Sequence, residues 1–162
     1  MREFATAINL IFDLTMLVDI NKYVREGQGE QLEFNKGFNN NTIISVVAIA
    51  NRNGGKVLIG VSGLGEAKGV QLNKETIKSW INEISQATEP KLAVAVHAQR
   101  VEYGYVVIID VPSPKIKPIS AYGKYYLRSG SNNLPLSAHK ITEMYLGSHG
   151  LNLEAVIASK NR

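Results

Sequence analysis

The sequence predicts a single α/β (α+β) domain in which a mixed β-sheet carries packed helices. Three observations point there. The 162 residues are 44% hydrophobic and 20% charged, ordinary globular composition on a chain long enough for one well-buried core. β-rich runs alternate with stretches of helical period in the order strand, helix, strand, helix, strand, strand, strand, helix. No apolar run reaches the roughly 18 residues of a membrane span, because Asn9, Asp13 and Asp19 interrupt the most hydrophobic stretch.

Residues 1–25 read as an apolar helical extension. Ile8, Ile11 and Phe12 share one helical face, with Asn9 and Asp13 off it, so this segment is expected to pack on the domain or to form a homo-oligomer with a second copy. Gln31 to Asn35 alternates as a short strand. The run from Thr42 to Ala50 is β-branched enough for a buried strand. However, Ile43, Val46, Val47 and Ala50 keep helical spacing, Asn41 or Thr42 can cap the start, and Gly54-Gly55 supplies a left-handed stop, so a helix is predicted. Lys56 to Val61 follows as a strand and Ser62-Gly63-Leu64-Gly65 as its turn. Asn73 is then the expected N-cap of a helix whose stripe is Ile77, Trp80, Ile81 and Ile84, halted at Pro90. Residues 92–101 and 105–111 form a hairpin about Glu102, Tyr103 and Gly104. Lys124 to Arg128 is a short strand, and Ser137 to Leu146 a helix ended by Gly147. The domain is expected to span 26–147, with 148–162 as a tail.

The chain contains no cysteine, which excludes disulfide frameworks, thiolate zinc sites and cysteine nucleophiles. No basic flank and small-residue cleavage site mark a leader, and the expected location is cytoplasmic. The formal net charge is +4, unevenly placed: residues 1–90 carry nine Lys and Arg against ten Asp and Glu, whereas residues 91–162 carry nine against four. Between Asp110 and Glu143 there is no acidic residue, yet Lys115, Lys117, Lys124, Arg128 and Lys140 fall there. Such a segment attracts polyanions, or serves as a solvated basic surface.

Gly-Glu-Gln-Leu-Glu-Phe at 29–34, Ala-Asn-Arg-Asn-Gly-Gly-Lys-Val-Leu-Ile-Gly-Val at 50–61, Gly65, Gly69-Val70, Lys117-Pro118 and the run from Tyr125 to Asn132 stand in a telling order. In that order and spacing, roughly over residues 26–145, the chain resembles the Schlafen/AlbA-like DNA-binding domain of bacterial transcriptional regulators and Schlafen proteins. The resemblance implies a nucleic-acid-binding module, DNA ahead of RNA, with helices on a mixed sheet. In such proteins it usually precedes further domains, and the short stretch after Gly147 suits both a lone module and a piece of a longer chain.

The binding candidate is the segment from Lys115 to Asn133. Lys115, Lys117, Lys124 and Arg128 can neutralise phosphates, the interleaved Tyr122, Tyr125 and Tyr126 can stack, and Ser129, Ser131, Asn132 and Asn133 can hold backbone oxygens. Strand alternation sends Lys124, Tyr126 and Arg128 to one face, taken as the binding face, and leaves Tyr125 and Leu127 for the core. Asn51, Gly54 and Gly55 form a turn; the functional alternative is a phosphate nest of bare amides at Gly54, Gly55, Gly63 and Gly65. No Walker pattern or dinucleotide fingerprint is present, and no cofactor is expected.

Some Schlafen-type domains are metal-dependent RNA endonucleases, and the resemblance places their carboxylates at Gln28, Glu33 and Gly63. Only Glu33 is acidic here, and an amide and a glycine hold hard cations poorly, so no catalytic or metal residue is expected. Glu30 and Glu33 read as solvated or lysine-paired. His97, His139 and His149 lack metal-ligand spacing, with His97 read as a core or rim histidine; Trp80 is expected in the core. An oligomerisation or interaction module is the remaining class.

Overall fold

The structure is a computed structural model and describes residues 20–161. Helix α1 is seen over residues 20–26; the apolar face expected at Ile8, Ile11 and Phe12 lies outside the described residues. Strand β1 (Leu32–Asn35), helix α2 (Asn40–Arg52) and strand β2 (Gly55–Ile59) follow as a βαβ unit, with β1 and β2 parallel. Helix α3 (Thr76–Ala87) leads into the two-residue strand β3 (Thr88–Glu89), and the expected hairpin is β4 (Ala95–Val101) with β5 (Gly104–Val111). Strands β6 (Ser120–Ala121), β7 (Lys124–Ser129) and β8 (Asn132–Pro135) precede helices α4 (Ala138–Ser148) and α5 (Leu153–Lys160). The strands form two four-stranded sheets, β1-β2-β5-β4 and β3-β6-β7-β8, in a single α+β domain.

Register explains the first sheet. Val57 pairs with Ile109 and Ile59 with Val107, and all four face a core shared with Ile43, Val46, Val47 and Ile49 of α2 and Ile84 of α3. The alternate pair Leu58 and Ile108 faces the other way, with Leu32, Phe34, Val106 and Ile20 of α1. Because both faces are covered, these strands are continuous apolar runs rather than alternating ones.

Helix α2 runs against both sheets, chiefly β7 and β2, and every residue from Thr42 to Asn51 except Ile44 is buried. That is why its composition imitates a strand: a helix buried all round has no polar face. Its cap is Asn39 rather than Asn41 or Thr42. The Asn39 carboxamide oxygen accepts from the Asn41 and Thr42 amides (2.9 and 3.4 Å), and Thr42 Oγ1 accepts the Asn39 amide in return (3.2 Å), a closed capping box. The helix stops as expected at Gly54, which has φ 75° and donates its amide to Ile49 O. A Cβ there would stand 2.7 Å from Val111 O.

Of the predicted α3 stripe, Ile84 is buried in the core and Trp80 packs half-buried against it, its ring stacked on Phe38 at 4.8 Å, while Ile77 and Ile81 are half-buried. Its N-cap is Glu75, two residues beyond the expected Asn73, which instead accepts from the Glu75 amide. Helix α4, expected over Ser137 to Leu146 and ended by Gly147, is capped by Ser137 and runs through Gly147 to Ser148. Residues 148–162, read as a tail, carry α5. Strands β3, β6 and β8 are too short or too polar to have been anticipated.

Candidate nucleic-acid interface

The segment that carries the predicted binding residues is built from two tight turns. Tyr122 (φ 53°) and Gly123 (φ 74°) connect β6 to β7, both in the left-handed region that a type I′ hairpin demands. Gly130 (φ 57°) and Ser131 connect β7 to β8. The loop from 112 to 119 is tied to the end of α2 by Asn51. That side chain, 2% exposed, accepts from the Ile119 amide (2.7 Å) and donates to Ile119 O (2.8 Å) and Tyr126 O (2.9 Å). Asn51 is therefore a clamp between α2 and the second sheet and not part of a phosphate nest.

The β7 face that carries Lys124, Tyr126 and Arg128 is not uniform: Lys124 is exposed, Tyr126 half-buried and Arg128 buried. Arg128 is fully buried: its Nε donates to Gly29 O (3.0 Å), Nη1 to Asn133 Oδ1 (2.8 Å), and Nη2 to Leu32 O (3.4 Å) and the Glu33 carboxylate. Asn133 in turn donates to Ser45 Oγ (2.8 Å), whose hydroxyl reaches Glu33 Oε1 (3.4 Å). A planar guanidinium with five N–H groups can satisfy such a ring of acceptors, which an ammonium cannot. Arg128 is thus withdrawn from any ligand, and so is Glu33. Tyr126 is half-buried on the same side, while Tyr125 and Leu127, expected in the core, are only half-buried on the other.

Lys117 is partly withdrawn as well. Its Nζ donates to Arg52 O and Ser113 Oγ, both at 2.9 Å, placing a cation where the α2 dipole is negative. Burial lowers its pKa below the ordinary lysine value. Lys115, Lys124, Ser131 and Asn132 are exposed, and neither lysine has an acidic partner among the described residues. Lys140 pairs with Glu143 at 3.0 Å. Tyr122, one of the tyrosines interleaved with these cations, lies at the surface: its ring is 47% exposed and its hydroxyl donates to Asn40 Oδ1 (3.1 Å). Burial first, then the charge of Glu83, raises the pKa of that hydroxyl. Lys117 marks one end of the 13-residue helix α2 and Tyr122 the other, so the available groups spread over about 18 Å.

Two of the four glycine amides suggested for a phosphate nest are engaged within the chain. The Gly54 amide is committed to Ile49 O and the Gly65 amide to Ser62 O, and Gly54 is buried. The three positions suggested for nuclease carboxylates are only partly adjacent. A Cβ on Gly63 would lie 3.8 Å from Gln28 Nε2, but Gln28 Oε1 accepts the Phe34 amide (2.9 Å), and Glu33 points to the opposite face of β1. Among the described residues no three His, Asp or Glu side chains are grouped to hold a metal ion. Glu30, read as solvated or lysine-paired, meets Arg52 at 3.2 Å. On the first sheet His97 is an exposed rim residue, its Nε2 3.0 Å from Asp110 Oδ2, and Asp110 also holds Lys56.

The family model described as Schlafen, AlbA_2 matches residues 28–137. The chain belongs to the Schlafen AlbA_2 family. The matched stretch of this Schlafen AlbA_2 domain runs from Gln28 to Ser137, the cap of α4, and contains both sheets and every polar clamp described above. Membership points to a nucleic-acid-related function. The fold is shared with a solved structure, the DIP2311 protein from Corynebacterium diphtheriae, at a TM-score of 0.53 and 21% identity over 66% of this chain. The match spans 22% of that protein's length. No curated protein matches the chain. Among the described residues no helix is long and apolar enough to cross a membrane.

Proposed function

We propose that this Schlafen AlbA_2 domain binds nucleic acid, DNA ahead of RNA, as a regulatory module without catalysis of its own. One observation carries the reading. Between Asp110 and Glu143 the chain has five cations and no acid, and after Arg128 and Lys117 are set aside as structural, Lys115 and Lys124 remain exposed and unpaired among the described residues. Tyr122, Ser131 and Asn132 accompany them with hydroxyl and amide groups suited to phosphate oxygens and to stacking. The resemblance of residues 26–145 to DNA-binding domains favours DNA. The absence of catalysis is supported by Glu33, whose carboxylate is held by Arg128, and by the neutral residues at 28 and 63.

Fluorescence anisotropy with labelled duplex DNA and single-stranded RNA, titrated over a range of salt, tests this. Each phosphate contact on duplex DNA contributes about 0.9 to the slope of log K against log salt. The Lys115→Ala, Lys124→Ala double variant is therefore expected to lower that slope by about two units while remaining folded. An unchanged slope would place the interface elsewhere, and tighter binding to RNA would reverse the order of ligands.

A further inference from the structure

The two edges of the first sheet are finished differently. At the β1 edge, Leu32 O accepts from the Gly29 amide (2.8 Å) and from Arg128, so the second sheet and the preceding turn cover it. At the β4 edge nothing among the described residues pairs. Strand β4 is seven residues long, in unbroken register with β5 from Ala95 to Val101, and its sequence, Ala-Val-His-Ala-Gln-Arg-Val, has no proline, lysine or bulge. Natural sheets guard long free edges with those devices.

The register shows which groups face outward. Tyr105, opposite Arg100, exchanges both main-chain bonds with Val70 on its other side (2.9 and 2.8 Å), so the Arg100–Tyr105 pair is not hydrogen-bonded. By alternation Val96, Ala98 and Arg100 turn their N–H and C=O groups away from β5. One side chain on this strand is also unfinished. Gln99 is 5% exposed, and among the described residues neither its amide nitrogen nor its oxygen has a hydrogen-bond partner.

We infer that β4 pairs antiparallel with β4 of a second copy, about a two-fold axis at Ala98. That register sets Ala98 against Ala98 and Val96 against Arg100 as hydrogen-bonded pairs, joining the two sheets with about six main-chain bonds. His97 then faces Gln99 of the second copy in the alternate pairs, where side chains approach most closely. Each Arg100 lies opposite a valine, so no like charges meet. The small Ala98, exposed on the edge, lets the backbones close.

Sedimentation velocity on the full chain is expected to show a dimer. Ala98→Pro removes an outward N–H without touching the β4–β5 ladder, and is expected to give a folded monomer. Across the axis the Ala98 Cα atoms would stand about 5.5 Å apart, within disulfide reach. Ala98→Cys, in a chain with no other cysteine, should thus oxidise to a covalent dimer, whereas Lys36→Cys should not. A monomeric wild type, a dimer indifferent to Ala98→Pro, or equal cross-linking from positions 98 and 36 would each overturn the inference, as would capture of a foreign extended peptide by a monomeric chain.

Discussion

In the first sheet Val57, Ile59, Val107 and Ile109 bury one face and Leu58, Val106 and Ile108 the other, whereas the second sheet adds to the apolar contacts of Ile119 and Ala121 the polar clamps of Asn51 and Arg128, with Lys117 tying the loop before it to α2. Apolar burial is non-directional and tolerates many arrangements, while each polar clamp works only in one geometry. Two cations of the segment with the greatest excess of positive charge, Arg128 and Lys117, are among those clamps. A basic run is therefore not by itself a binding surface, since two of its five cations are turned inward or onto a helix end.

The largest expected effect breaks the second region and spares the first. Removing the Arg128 guanidinium leaves the Glu33 carboxylate, Gly29 O, Leu32 O and Asn133 Oδ1 without their donor in a site where Arg128 is wholly buried. Breaking a buried pair from one side costs about 3–5 kcal/mol. Arg128→Ala should lower the unfolding free energy by that amount, read as a fall in the urea midpoint at unchanged slope. Arg128→Lys should recover little, since one ammonium cannot span acceptors on three elements. Retention of the wild-type midpoint in Arg128→Ala, with DNA affinity lost instead, would return this residue to the binding face.

A smaller effect is expected at Asn51. Substitution by Ala leaves the Ile119 amide and the carbonyls of Ile119 and Tyr126 without their side-chain partner beneath the second sheet. The cost should be about 2 kcal/mol, the range for leaving buried polar groups unmade. Hydrogen exchange sharpens the comparison: amides of β6 and β7 should lose protection in Asn51→Ala while those of β2 and β5 keep theirs. Uniform loss across both sheets would mean that they unfold as one unit.

The same division decides what was legible in the sequence. The βαβ unit, the β4–β5 hairpin and α3 were readable because hydrophobic period and turn residues are local signals, and α2 survived its strand-like composition because its stripe and its Gly54 stop agreed. Strands β3, β6 and β8 carry only two to four residues and take their pairing from distant segments. For β7, period two separates the faces without saying which is inward, and one face holds both the exposed Lys124 and the buried Arg128. Nothing near Arg128 in the chain announces Glu33, which is 95 residues away. Asn51 looked like part of a turn because Asn-x-x-Gly-Gly is one, and its partners are 68 and 75 residues distant.

The smallest expected effect sets one lysine of each region against the other at alkaline pH. Burial opposes the charge of Lys56, but its hydrogen bond to Asp110 and the attraction of Asp110 and Tyr23 outweigh that, so its folded pKa lies above the ordinary 10.5. Its stabilising contribution is therefore complete below 10.5 and is lost as pH rises through the folded value. Lys117 behaves oppositely. Burial lowers its pKa, so the folded state disfavours its charge, and stability is recovered as pH rises from the folded value toward 10.5. Both ammonium groups keep contact with water, which screens the effect. Urea midpoints followed between about pH 9 and 11 should fall less steeply in Lys56→Met than in the wild type, and more steeply in Lys117→Met. Parallel curves for all three chains would show that neither lysine's environment differs between the folded and unfolded states, and would take from Lys117 its part in fastening the second sheet to α2.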